Sequence, residues 1–437
     1  MKKVIRLISL AMLSPVFILS SCSSDEPAGS DNPDKPVSPE DTIPIPDDWE
    51  ITNSLDLSQD EKTQLGKIND FCDDMVDKCA EVSPTGEFSL SPLGMSVYLG
   101  MLANSSAGDT HDQILKAFDS QEIKVLNSVF NKLLHHIPST YAGIQTQMNN
   151  GIWIAKKYQP MGVGSLVDDG GYSYKMKENF NAKVSYVDFN GDETWKNINS
   201  WAKTATNGVF NPLIPTQMWS SLYNINMFAV NTVYFQGKWL REFDPQNTID
   251  STFQTPTGKI SVKMMRMSSE RMIYGYDDDV QLFCIPIVSL HTNLEIFIPN
   301  KVMNGKDMAK LITAERRKKL RAQQYFPVVY SIKLPRFESN SNTDMKEVLK
   351  LMGINSLDNV DLTPMGIDAK ESLPVFHETR FRVNEQGAEM SSATYGWSGD
   401  NGKRPEYVEM NIDRPFMYTL RSLKDGTILL AGIVERP

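Results

Sequence analysis

From about Asn226 to the C-terminus the chain is written in short apolar or alternating runs, and this stretch limits the possible folds more than any other feature. Phe228 to Phe235, Ile260 to Met264, Val280 to Ile287, Leu294 to Ile298, Val328 to Leu334, Arg380 to Val383, Phe416 to Leu420 and Ile428 to Val434 are each rich in β-branched or aromatic residues. Runs of that length and composition read as strands. Earlier in the chain the period is helical: Leu65, Ile68, Phe71, Cys72, Met75, Val76 and Cys79 fall on one helix face, and Leu93 to Leu102 and Thr110 to Phe118 continue the pattern. Helices first, strands later and no repeat period predict an α+β domain rather than alternating βαβ units. A length of 437 residues, 41% of them hydrophobic, leaves room for one large domain or for two to three ordinary ones.

Residues 1–21 open with Lys2, Lys3 and Arg6, continue through an apolar run from Leu7 to Leu19, and end in small residues before Cys22. The run is too short to span a bilayer and has the form of an export signal. Leu19-Ser20-Ser21-Cys22 resembles a bacterial lipobox, so Cys22 is expected to be acylated and to become the mature N-terminus. Residues 22–49, with six prolines and eight acidic residues between Ser23 and Asp48, bury too little to order themselves and are expected to be a tether. The expected arrangement is a domain over 50–437 anchored by lipid to the outer membrane, at the cell surface or the periplasmic face. A formal charge of −10 becomes more negative once the three basic residues of the signal are removed, which argues against nucleic acid as a partner.

Catalytic signatures are absent. None of the five histidines, His111, His135, His136, His291 and His377, stands in HExxH, in a zinc spacing or near a GxSxG elbow. Gly399-Asp400-Asn401-Gly402-Lys403 lacks both the first glycine and the Ser or Thr of a phosphate loop. No enzyme activity, metal or cofactor is expected. Cys72 and Cys79 would lie about 10 Å apart on a helix, too far to bridge, so they and Cys284 are expected to be buried free thiols.

From Leu57 to Pro437 an ordered series of motifs resembles the serpin family. It includes Ser91-Pro92, Ala107 to Leu115, Asn150-Gly151-Ile152-Trp153, Phe180-Asn181-Ala182, Ile198-Asn199-Ser200-Trp201, Val230 to Trp239, Arg414-Pro415-Phe416 and Gly426 to Gly432. The resemblance implies a serpin fold, with three β-sheets, eight or nine helices and an exposed reactive-centre loop at about 385–412. It also implies a monomer that traps a serine or, as the second alternative, a cysteine endopeptidase as an acyl-enzyme by inserting its cleaved loop into a sheet.

Asn384 to Thr394 resembles the hinge of inhibitory members, with Glu385, Gly387, Ala388, Met390, Ser392 and Thr394 as its key positions. A segment that leaves a loop to become a central strand must carry no charge or bulk on its inward row. In the family that row starts after the hinge glycine, which places Ala388, Met390, Ser392 and Thr394 inward and Glu389 in water. Met390 is larger than usual, and Gly94 replaces a usual serine. Ser91, Asn231 and His377 occupy shutter positions and are expected to form a hydrogen-bonded latch between strands. For the scissile bond, counting fourteen residues from Gly387 reaches Asn401 and counting eleven back from Pro415 reaches Arg404. Arg404 precedes Pro405, so Lys403 and a trypsin-like target are favoured, with Asn401 and Arg404 as the other candidates. A non-inhibitory binding or carrier protein of the same fold is the alternative.

Overall fold

In the computed structural model the described residues are 55–437 apart from 138, 142–143, 160–170, 272, 288–291, 325–327, 369, 389–406 and 424. The first helix starts where its sequence provides a capping box. The Ser58 hydroxyl accepts from the Glu61 amide at 3.3 Å, and the Glu61 carboxylate accepts from the Ser58 amide at 2.7 Å. This helix, α1 (Gln59–Val82), buries the Leu65-to-Cys79 stripe expected of it. Next comes α2 (Pro92–Ser105), capped by Ser91, with Pro92 where the missing N–H costs nothing. Almost every α2 side chain is buried, because the helix lies in the core rather than on it.

The remaining helices are α3 (Asp109–Ala117), α4 (Ile123–His136), α5 (Tyr172–Phe180), α6 (Asp192–Ala205), α7 (Gly305–Leu311), α8 (Ala314–Ala322) and α9 (Lys346–Leu351). The last three lie within the strand-rich half and have no apolar stripe long enough to read. In α8 the central buried residue is Arg317, fully enclosed. Its guanidinium bonds Asp73 at 3.0 Å and Asp77 at 2.7 Å on α1, together with the Ile312 carbonyl. Cys72, Cys79 and Cys284 are free and buried, as expected, and burial pushes the Cys72 and Cys79 thiols up to about 12.

Two sheets are continuous. One is six-stranded and antiparallel, in the order Phe88–Leu90, Ile428–Val434, Phe416–Ser422, Thr292–Pro299, Val280–Pro286 and Ile273–Tyr276. The other is four-stranded, in the order Tyr407–Asn411, Val328–Pro335, Gly258–Arg271 and Ile249–Thr255.

The third sheet comes in two pieces. Met227–Lys238 pairs along its length with Ile144–Ala155, which also pairs with Ser139–Tyr141 and Ala182–Val187. Phe376–Val383 pairs along its length with Phe337–Asp344. Among the described residues no ladder joins Met227–Lys238 to Phe376–Val383. One hydrophobic core runs through the helices and sheets, and a smaller aromatic cluster of Trp153, Phe189, Trp195, Ile198 and Trp219 fills the space under α6.

Candidate functional site

Contacts along the division of the third sheet lie at three levels, and the upper one is the turn over Asn384 to Gly387, where the hinge is expected. Val383 ends its strand, and the chain turns through Asn384 to Gly387, with reciprocal Asn384–Gly387 backbone bonds of 3.2 Å and the Asn384 side chain accepting from the Gln386 amide. Gly387 then pairs with Lys238 and Ala388 with Gly237. Gly387 therefore lies between Lys238 on one half and Asn384 on the other, as the first residue of a strand between them. Its φ is +119°, and a Cβ would stand 2.5 Å from the Trp239 amide nitrogen and 2.7 Å from the Gly237 carbonyl oxygen. Only glycine fits both the conformation and the space.

The turn is fastened from outside. The Trp239 indole donates to the Asn384 carbonyl at 2.8 Å, and the Phe243 amide donates to the Glu385 carbonyl at 3.0 Å. The Glu385 carboxylate is almost fully buried, receives the Arg336 guanidinium at 2.6 to 2.9 Å, and accepts from the Thr248 hydroxyl. Burial opposes its charge, but Arg336 and Thr248 outweigh that and hold the carboxyl below the usual glutamate range. Arg336 itself is half-exposed. Glu385 and Gly387 are the residues expected at the hinge, whereas Arg336 was missed. No local pattern links residues 336 and 385, and only the unexplained cation after Pro335 could have hinted at it.

The lower level is the start of α2. The Ser91 amide donates to Nε2 of His377 at 2.8 Å, and the Ser91 hydroxyl accepts from the Gly94 amide. Asn231 does not join this pair: its side-chain amide donates to the Asn150 carbonyl oxygen at 2.8 Å, and Asn150 in turn holds the Phe180 carbonyl. The expected three-residue latch is thus two separate clasps. A Cβ at Gly94 would meet Asn231 Oδ1 at 2.7 Å and the Ser91 hydroxyl at 2.9 Å, so a side chain there would displace both. His377 receives an N–H on Nε2, which requires the neutral ring, and desolvation pushes its pKa down to about 4.

At the middle level, after α6, the Asn207 side chain donates to the Tyr234 hydroxyl at 3.2 Å and the Arg380 guanidinium donates to the Val209 carbonyl at 3.0 Å. Met390, Ser392, Thr394, the scissile-bond candidates Asn401, Lys403 and Arg404, and Cys22 lie outside the described residues.

Among the described residues the third sheet is divided lengthwise, and the chain turns back into the top of that division. The serpin (serine protease inhibitor) family model matches residues 66–437, and the chain belongs to that family. It is 26% identical over 386 residues to the leukocyte elastase inhibitor of Xenopus laevis, covering 84% of this chain and 97% of that one. Among solved structures it resembles Serpin48 of the insect Tenebrio molitor, with a TM-score of 0.70, 21% identity, and coverage of 87% of this chain and all of the other. It also resembles thyroxine-binding globulin in complex with thyroxine, with a TM-score of 0.71 and 20% identity over 86% of this chain and 99% of that one.

Proposed function

We propose that the protein is a lipid-anchored suicide inhibitor of a trypsin-like serine endopeptidase. The observation that carries this reading is the register of the hinge: Gly387 and Ala388 already occupy strand positions between the two halves of the third sheet, so the chain that follows has a path between them. The protease serine attacks the Lys403 carbonyl, the Lys403–Arg404 bond breaks, and Arg404 leaves as a protonated amine while the acyl ester stays on the protease. Insertion of the released segment carries the ester away and distorts the protease before water can hydrolyse it. The inhibitor supplies no catalytic group. The strained starting state is kinetically held, and insertion runs downhill once the loop is cut.

Incubation of the mature chain with trypsin and a panel of other proteases tests this. The expected product is an SDS-resistant adduct together with a released peptide whose mass begins at Arg404. Clean cleavage without an adduct by every protease would replace the inhibitor with a binding or carrier protein.

A further inference from the structure

A cavity of about 590 Å³ opens beside the hinge turn, within the range of about 300–1,000 Å³ that small-molecule sites occupy. Phe337 and Val383, a cross-strand pair, line it together with Pro245, Pro437 and the turn over Asn384 to Gln386. Arg336, Glu338 and Arg382 complete the lining. Apolar walls with two guanidinia between them suit an organic ligand that carries negative charge.

Both cations have a carboxylate partner, and both have donors to spare. Arg336 meets Glu385 through Nε and Nη2, which leaves Nη1. Arg382 meets Glu338, its register partner, through Nε at 2.7 Å, and among the described residues its two Nη groups have no bond. The two ion pairs are not alike. Glu385 is buried and also accepts from Thr248, so Arg336 is held in place. Arg382 and Glu338 are 71% and 53% exposed, where an ion pair contributes little, and an incoming anion can share Arg382 or displace Glu338 with little loss. Arg336 precedes Glu338 by two residues, and Glu338 stands opposite Arg382, so the two arginines take diagonal positions about 7–8 Å apart on adjacent strands. A single small oxyanion reaches one of them, whereas two carboxylates on one carbon frame reach both.

We propose that this cavity is a binding site for a small organic dianion, a dicarboxylate whose two groups meet Arg336 and Arg382 while its hydrocarbon frame lies against the apolar lining. Asn384, Glu385 and Gln386 border the same space, so a bound ligand covers the hinge turn and holds it to the end of the Phe376–Val383 strand. The site requires neither a protease nor a cleaved loop. It therefore goes beyond the inhibitory reading and does not rest on it.

Titration calorimetry of the uncleaved mature chain at low ionic strength tests this, with isophthalate, benzoate and inorganic phosphate as probes. Isophthalate should bind, and benzoate and phosphate should each bind at least about tenfold more weakly, as expected for loss of one charge-assisted contact. Arg382→Gln removes an exposed cation and leaves the Arg336–Glu385 pair in place, and it should weaken isophthalate about tenfold. Glu338→Gln should tighten it instead, because Arg382 loses its competitor, a direction that a merely structural ion pair would not give. Lys319→Gln, which removes an exposed cation on α8, should bind as the unmodified protein does. Amide exchange over 384–387 should slow on addition of isophthalate in the unmodified protein and not in Arg382→Gln. No binding of isophthalate, equal affinity for benzoate or phosphate, or equal affinity in Arg382→Gln would overturn the site. A loss in Lys319→Gln as large as that in Arg382→Gln would reduce the binding to general attraction by surface charge and overturn it as well.

Discussion

His377 shows how one residue couples the divided sheet to its environment. Its Nε2 lone pair holds the Ser91 amide, so the ring cannot take a proton there without breaking that bond. The unfolded chain protonates this histidine near pH 6.5, whereas the folded protein resists until about 4. Between those values the unfolded state binds the extra proton, so stability falls as pH falls through the window and is unaffected by this group above it. The loss attributable to His377 is about 3 kcal/mol by pH 4. Urea denaturation at pH 7.5 and pH 4.5 should show a smaller drop for His377→Gln, whose carbonyl oxygen can accept the same amide. Equal drops in the two proteins would remove the neutral imidazole from the lower clasp.

At the scale of elements, most of the fold was legible. Each apolar run after Asn226 became a strand, and the α1 stripe was readable because a helix or strand declares itself through neighbours in sequence. What was not legible joins residues far apart. Arg336 with Glu385, Arg380 with Val209 and Phe210, and Arg317 with Asp73 and Asp77 leave no periodic trace. The division of the third sheet is hidden for the same reason, since Met227–Lys238 and Phe376–Val383 both read as ordinary strands whether or not they pair. Asn231 was expected to join Ser91 and His377, but its amide donates to Asn150, a partner 81 residues away that no local pattern announces. The hinge turn makes a test at this scale. Gly387→Ala would set a Cβ against the Trp239 amide at a positive φ, so the turn should withdraw from the Lys238 end of its neighbour. Amide hydrogen exchange over 237–243 should accelerate by about tenfold or more in this variant. Unchanged protection there would mean that the hinge is not held by this pairing.

For the molecule as a whole, the proposed function joins a lipid anchor to a sheet that would take up a strand. The proposed anchor rests on Cys22, and a Cys22→Ala protein should lose its acyl chains and move from the membrane to the soluble fraction. Equal membrane retention of both forms would remove it. The sheet stands on Ala388, which follows Gly387 into register opposite Gly237. A cation there would have to enter the sheet without a partner, at several kcal/mol, and each 1.4 kcal/mol slows insertion about tenfold while deacylation is untouched. The decisive measurement is the denaturing gel of Ala388→Arg beside Glu389→Arg after reaction with the same protease. Ala388→Arg should be cut at the native bond and form no adduct, while Glu389→Arg, on the outward row, should trap protease almost as the unmodified protein does. An Ala388→Arg protein that traps protease at the native stoichiometry would contradict inhibition by strand insertion.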